Sequence, residues 1–265
     1  MLLQDKNAVI YGGGGAIGGA VARAFAREGA TVYLAGRTAA KLERVAGEIA
    51  AAGGRAETAE LDALDEKAVD EHADAVAASA GGIDVALNAV GITHDQGTPF
   101  ADLSLADYTL PISAYTRTNF LTAKAVARHM TKRGSGVILT LSTPGSRMTG
   151  SGFLGYGVTC AAVEAFSRIL AGELGPSGVR VVCLRPHAIP EALPLSHTRE
   201  VFAGFAERAG TSVETMLAEQ LQPGTLLGRL PGLAEVAEAA VFFASDRAGA
   251  TTGAIVNLTS GSLVD

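Results

Sequence analysis

The 265-residue sequence has no tryptophan, and aromatic residues make up only 5% of it. Alanine, valine, leucine and glycine must therefore form most of the core. The two cysteines, Cys160 and Cys183, match neither a zinc-ligand spacing nor a disulfide framework. A formal charge of −6 provides no basic surface, so a nucleic-acid partner is not expected. No apolar run reaches membrane-spanning length, and Leu2-Leu3-Gln4-Asp5-Lys6 has no signal-peptide pattern, so a cytoplasmic protein with no membrane partner is the expectation. Disorder is excluded by 48% hydrophobic against 18% charged residues. A chain of this length can bury a substantial core as one domain.

The most informative stretch lies near the N-terminus. Ala8 to Tyr11 is an apolar strand, the next four residues are all glycine, and Ile17, Val21, Ala22 and Phe25 mark the apolar face of a helix. Glycine is needed where a turn takes positive φ and where backbone must approach a ligand closely. The helix directs free N–H groups and its positive dipole end towards the turn, which suits a pyrophosphate. This strand–turn–helix context is the one a dinucleotide fingerprint requires. Strand and helix signals then alternate along the chain, from Thr31–Ala35 through Val179–Leu184 to a last strand near Ala254–Leu258. Such alternation predicts an α/β fold, a doubly wound parallel sheet of Rossmann type, as one domain over residues 1–265. The second strand ends in Gly36-Arg37-Thr38, with no acidic residue between Thr31 and Ala40. An acid there would hold ribose hydroxyls, whereas an arginine pairs a 2′-phosphate. Arg37, helped by Thr38 and Lys41, thus points to NADP(H); a solvated arginine at a strand end is the plainer alternative.

Gly12 followed by Ala16-Ile17-Gly18 resembles the Gly-x-x-x-Gly-Ile-Gly signature of the short-chain dehydrogenase/reductase family, with Ala16 at the usual middle glycine and Gly15 beside it. The resemblance covers nearly the whole chain and continues through Gly228-Arg229-Leu230, Glu235-Val236-Ala237, Ala244-Ser245-Asp246 and Thr252-Gly253. It implies a cofactor site at Gly12, Gly14, Gly15, Ile17, Gly18, Arg37, Thr38, Asp62, Asn88, Gly91, Tyr156, Pro186 and Ile189. Asp62 would receive the adenine amino group, although an Asp after a strand is also a good turn residue. Gly91, in Asn88-Ala89-Val90-Gly91, would let the adenosine ribose reach the backbone. Asn119 would hold a water in a proton path, or else be an ordinary exposed helical asparagine. Family membership also implies a homodimer or homotetramer built through the helices carrying Asn119 and Tyr156.

The same resemblance makes Tyr156 the general acid and Thr143, thirteen residues before it, the hydroxyl that holds a substrate carbonyl, with Ser142 the neighbouring alternative. One departure is large. Four residues after the tyrosine the family has a lysine; here it is Cys160, and no lysine follows Lys132. A unit charge about 4 Å from the phenol, at an effective dielectric near 20, is worth roughly 4 kcal/mol, or about 3 pKa units. Carbonyl reduction uses a protonated tyrosine and suffers less than alcohol oxidation. The expected activity is NADPH-dependent reduction of a carbonyl on a hydrophobic small molecule; cofactor binding without turnover and non-redox chemistry in the same pocket are the alternatives. His187, in Arg185-Pro186-His187, is either an extra acid/base group or a solvated loop residue. Between residues 190 and 228, Arg199–Arg208 and Val213–Gln222 form two amphipathic pieces with Val201, Phe202, Phe205, Met216, Leu217 and Leu221 at helical spacing. They form a lid that either meets an apolar substrate or merely packs down.

Overall fold

The computed structural model describes residues 1–264. Its centre is a parallel sheet whose inner strands are apolar along nearly their whole length, as strands covered on both faces must be. The strands are β1 (Asn7–Tyr11), β2 (Thr31–Gly36), β3 (Arg55–Glu60), β4 (Val85–Asn88), β5 (Gly136–Leu141), β6 (Val179–Pro186) and β7 (Ile255–Leu258). They lie in the order β3-β2-β1-β4-β5-β6-β7, every pairing parallel. β3 is the exposed edge, and its Arg55, Glu57 and Glu60 face solvent.

Helices α1 (Ala16–Arg27), α2 (Ala39–Ala51) and α8 (Leu233–Ala244) cover one face. There Phe25, Leu42, Val45 and Ile49 close over Ile10, Leu34 and Leu87. Helices α3 (Glu66–Ala80), α4 (Leu105–Arg133) and α5 (Leu154–Leu174) cover the other, with Val69, Val76, Val126 and Met130 against Val9, Ile138 and Val181. The expected single doubly wound domain is what forms. Because β1 is followed by a crossover to β2 on one side while β4 lies on its other side, a crevice opens at their C-terminal ends.

Local chemistry sets the helix ends. The Asp65 carboxylate caps α3 by accepting from Lys67 N and Ala68 N, and Gly81 ends it at φ 76°. Ser104 Oγ accepts from Asp107 N at 3.0 Å, so α4 begins at Leu105. The segment after β6 carries α6 (Thr198–Arg208) and α7 (Val213–Met216). The second amphipathic piece differs from the expected uniform helix over Val213–Gln222. After Met216 it loosens into a π-type turn over Leu217–Leu221, then a 3-10 turn at Gln222–Gly224. Pro223 has no N–H to give an α-helical ladder, which closes the run. Leu193, Ala206, Val213, Met216, Leu217 and Leu230 form a small core of their own under this segment. No helix among the described residues is long and apolar enough to cross a membrane.

The face beneath α3 contains a pH-sensitive contact. His72 meets the edge of the Tyr11 ring, centroids 5.7 Å apart, and neither Tyr11 Oη nor His72 Nδ1 has a hydrogen-bond partner. Burial lowers the His72 pKa to about 4, against 6.5 for a free imidazole. The unfolded chain therefore binds the extra proton first, and stability falls as pH drops from about 6.5 towards 4. The loss amounts to at most about 3 kcal/mol. Urea unfolding as a function of pH should show this slope, and His72→Phe should flatten it.

Candidate active site

The crevice at the switch point holds a cleft of about 610 Å³, running from the β1–α1 turn to the ring of Tyr156 and roofed by the segment after β6. Its floor begins at the glycines. Gly12 has φ +81°, and a Cβ there would lie 2.4 Å from Ala89 O. A Cβ on Gly18 would lie 2.3 Å from Gly12 O, so the start of α1 rests directly on the turn. Gly15 is the N-cap of α1 and makes no side-chain cap bond. The first-turn amides of the helix thus lack a protein side chain as acceptor. Gly14, Gly15 and Ile17 line the same cleft. Arg37, Thr38 and Lys41 stand exposed at its rim, beyond the end of β2.

The next group of expected residues comes from the β3 and β4 ends. Asp62 lines the cleft, and one of its oxygens already accepts from Leu64 N at 2.9 Å, as in a tight turn. Asn88 is held structurally: its Nδ2 donates to Thr122 Oγ1 at 3.1 Å and its Oδ1 accepts from Val90 N at 3.1 Å. That pair fixes the β4 turn to α4. Gly91 follows, covered by the imidazole of His197 from the roof. A Cβ at Gly91 would lie 2.1 Å from His197 Cε1. Burial lowers the His197 pKa; Glu200 opposes this, while Lys41 and Arg37 reinforce it. Pro186 and Ile189 are buried along the far wall.

Tyr156 is half-buried on the wall of the cleft. Burial pushes its phenol well above the usual range, with Cys160 and Tyr115 acting in the same direction and a hydrogen bond from Thr143 opposing them. Thr143 Oγ1 also lies 3.2 Å from Cys160 Sγ. Ser142 and Thr143 follow directly on β5, and their hydroxyls find different partners. The Ser142 hydroxyl donates to Glu164 Oε1 at 2.9 Å, in a buried cluster where Ser146 and Arg185 Nε bond the same oxygen at 2.6 and 2.9 Å. Thr143, and not Ser142, is therefore the hydroxyl beside Tyr156. Asn119 reaches the cleft from α4; its Nδ2 donates to Tyr115 O at 2.9 Å, and its buried Oδ1 has no partner. It is not the exposed helical asparagine of the plainer reading.

His187 is buried and lines the cleft, with Nδ1 accepting from Ala188 N at 2.6 Å; burial lowers its pKa. Cys160 is 3% exposed, and burial raises its thiol pKa, as does the nearby Glu164. Among the described residues no group of His, Cys, Asp and Glu is arranged to hold a metal.

Three residues that sequence reading passed over also belong to the site: His94, Gln96 and Tyr115, all lining the cleft beside Tyr156. For His94 and Gln96 the only signal was a polar stretch, Thr93-His94-Asp95-Gln96, in the loop after β4; Tyr115 lies in α4, four residues before Asn119. Nothing in helical or strand periodicity marks such a loop.

This geometry agrees with what the chain is similar to. A family model described as enoyl-(acyl carrier protein) reductase matches residues 14–262. The chain belongs to the short-chain dehydrogenase/reductase family. It is 33% identical over 262 residues to an uncharacterized oxidoreductase of Mycobacterium tuberculosis, spanning 98% of this chain and 92% of that one. It is also 30% identical over 260 residues to the short-chain reductase protein NovJ of Streptomyces niveus, spanning 97% and 94%. Among solved structures, an NAD+-bound xylitol dehydrogenase shares the fold with a TM-score of 0.90 at 23% identity, over 98% of this chain and 100% of that one. In this short-chain oxidoreductase the position four residues after Tyr156 is therefore a neutral, enclosed thiol.

That state of the thiol can be read directly. Neither Cys160 nor Cys183 is accessible, and burial raises both pKa values, that of Cys183 to about 12. A disulfide reagent at neutral pH should leave both unlabelled until the protein is unfolded in denaturant. Stoichiometric labelling of the native protein would contradict an enclosed Cys160.

Proposed function

We propose that this protein is an NADPH-dependent reductase of a carbonyl group on a hydrophobic small molecule. The observation that carries the reading is the convergence of Thr143 and the Tyr156 phenol at one end of a single cleft whose other end is the glycine turn and Arg37. The residues present fit a dinucleotide. The uncapped first turn of α1 suits a pyrophosphate, and the bare floor at Gly12, Gly14 and Gly15 admits close approach. Arg37 and Lys41 at the rim, with no acid beside them, favour a 2′-phosphate, and Thr38 adds a hydroxyl donor. Asp62 has an oxygen left for an adenine amino group, Gly91 lies open to a ribose once His197 yields, and Pro186 and Ile189 wall the nicotinamide end. The unpartnered Asn119 Oδ1 is placed to hold a water.

Reduced NADP supplies the hydride when bound. Thr143 donates a hydrogen bond to the substrate carbonyl, and Tyr156 gives its phenolic proton to the carbonyl oxygen. Burial keeps that proton on the phenol throughout the physiological range, which serves reduction and opposes alcohol oxidation. The roof closes the site with Val201, Phe202, Phe205, Met216 and Leu221, and this lid over residues 190–228 selects an apolar substrate body. Leu110 and Phe120 on α4, with Leu154, Val158 and Ile169 on α5, are exposed apolar residues, which supports a homodimer or homotetramer formed through those helices.

NADPH should raise the melting temperature more than NADH, and Arg37→Ala should weaken NADPH binding about tenfold or more while changing NADH little. NADPH consumption with a panel of ketones and quinones should fall at least about 100-fold in Tyr156→Phe. A wild-type protein that binds NADPH but consumes none with any carbonyl would end the reductase reading. Sedimentation should show a dimer or tetramer, and Phe120→Glu should weaken it; a wild-type monomer at micromolar concentration would refute the assembly.

A further inference from the structure

The acid beside the reacting carbonyl has an unusual neighbour. The His94 ring stacks on the Tyr156 ring with centroids 4.4 Å apart and planes inclined by 22°. The stack is held from several sides. His94 Nδ1 lies 2.6 Å from Ile92 O, which fixes the proton on Nδ1 and leaves Nε2 as the acceptor facing Gln96 Nε2 at 2.9 Å. Tyr115 meets the His94 ring edge-on at 5.9 Å, and its hydroxyl bonds Ile92 on both N–H and C=O. His94 and Gln96 are each 7% exposed. The position one helical turn past the phenol holds only the Cys160 thiol. Of the bases lining the cleft, His94 is the one in ring contact with Tyr156.

We propose that His94 is a positioning and tuning residue whose protonation places a cation against the Tyr156 ring and makes that phenol a stronger acid for carbonyl reduction. The inference rests on the reductase reading and extends it. Protonation adds a hydrogen at Nε2, and a half-turn of the Gln96 amide presents its Oε1 to receive it, so the imidazolium is accommodated without breaking the stack. A cation beside the ring favours phenolate over phenol. During reduction Tyr156 loses its O–H proton to the carbonyl oxygen and regains one from solvent, while His94 transfers none. The groups facing the imidazole are Asp95 on its own loop, which favours the charge, and His197 from the lid, which opposes it; Tyr115 comes from α4, and Tyr156 and Cys160 come from α5. Burial lowers the His94 pKa from its ordinary 6.5. The cation is therefore absent at neutral pH and forms as the solution is acidified.

The test uses full-length protein labelled at tyrosine Cζ with carbon-13. The Tyr156 signal, assigned by its loss in Tyr156→Phe, should shift with a midpoint below pH 6.5, matching the titration of the His94 ring signal identified by its contact with Tyr156. The shift should vanish in both His94→Phe and His94→Gln. Initial rates of NADPH oxidation corrected to kcat/KM should rise about three- to tenfold through the same midpoint on acidification, and neither variant should show that rise. A Tyr156 signal that stays flat, or an acid limb that persists in the variants, overturns the proposal. Absence of all turnover refutes the reductase reading alone, because the carbon-13 titration needs no substrate and still decides whether His94 and Tyr156 are coupled.

Discussion

The site depends on a steric constraint: backbone resting on backbone where β1 turns into α1. Only a hydrogen fits at Gly12 against Ala89 O, and only a hydrogen fits at Gly18 against Gly12 O. These two contacts seat the start of α1 on the turn and bring the turn against the end of β4. The crevice between β1 and β4 is thereby narrow enough to grip a ligand by main-chain groups, and Asn88 secures its far lip through Thr122 on α4. Had either glycine carried a methyl group, the helix start would be displaced from the turn and the floor of the cleft with it.

From that floor the chemistry is arranged by elements that share no sequence neighbourhood. The turn after β5 delivers Thr143, α5 delivers Tyr156 and Cys160, α4 delivers Asn119 and Tyr115, and the loop after β4 delivers His94. The result is a half-buried phenol whose titrating neighbours among the described residues include no permanent cation. Burial by itself makes such a group a reluctant acid, since desolvation disfavours the phenolate. The charge that would offset this is absent from position 160, where a small thiol fills the space against Thr143. Thr143 supplies a hydrogen bond to the phenol, and the His94 ring, held by Gln96, stacks on its face.

Much of this was legible beforehand. The glycine turn, the alternating strands and helices and the basic end of β2 are local patterns, and each lies where its periodicity placed it, while the pairing of Thr143 with Tyr156 was suggested by the family resemblance. The departures are equally instructive. The second lid piece carries helical spacing but unwinds after Met216, because Pro223 cannot extend the ladder back through it. His187, open to two readings from its loop, is buried, and Ser142 is drawn into the Glu164–Arg185 cluster behind the sheet edge.

The sequence by itself determined the sheet and the glycine floor, because short-range sterics and hydrophobic period fix those without reference to distant residues, whereas the role expected of Tyr156 came from the family resemblance. Tertiary structure alone decided that His94 lies on Tyr156, that His197 covers Gly91 and that the Ser142 hydroxyl is engaged by Glu164 while Thr143 lies against Cys160. Each of these is a contact between segments far apart in the chain, set by how loops cross the open ends of the strands. Loops carry no period, so their side chains acquire meaning only once the sheet has fixed where those ends meet.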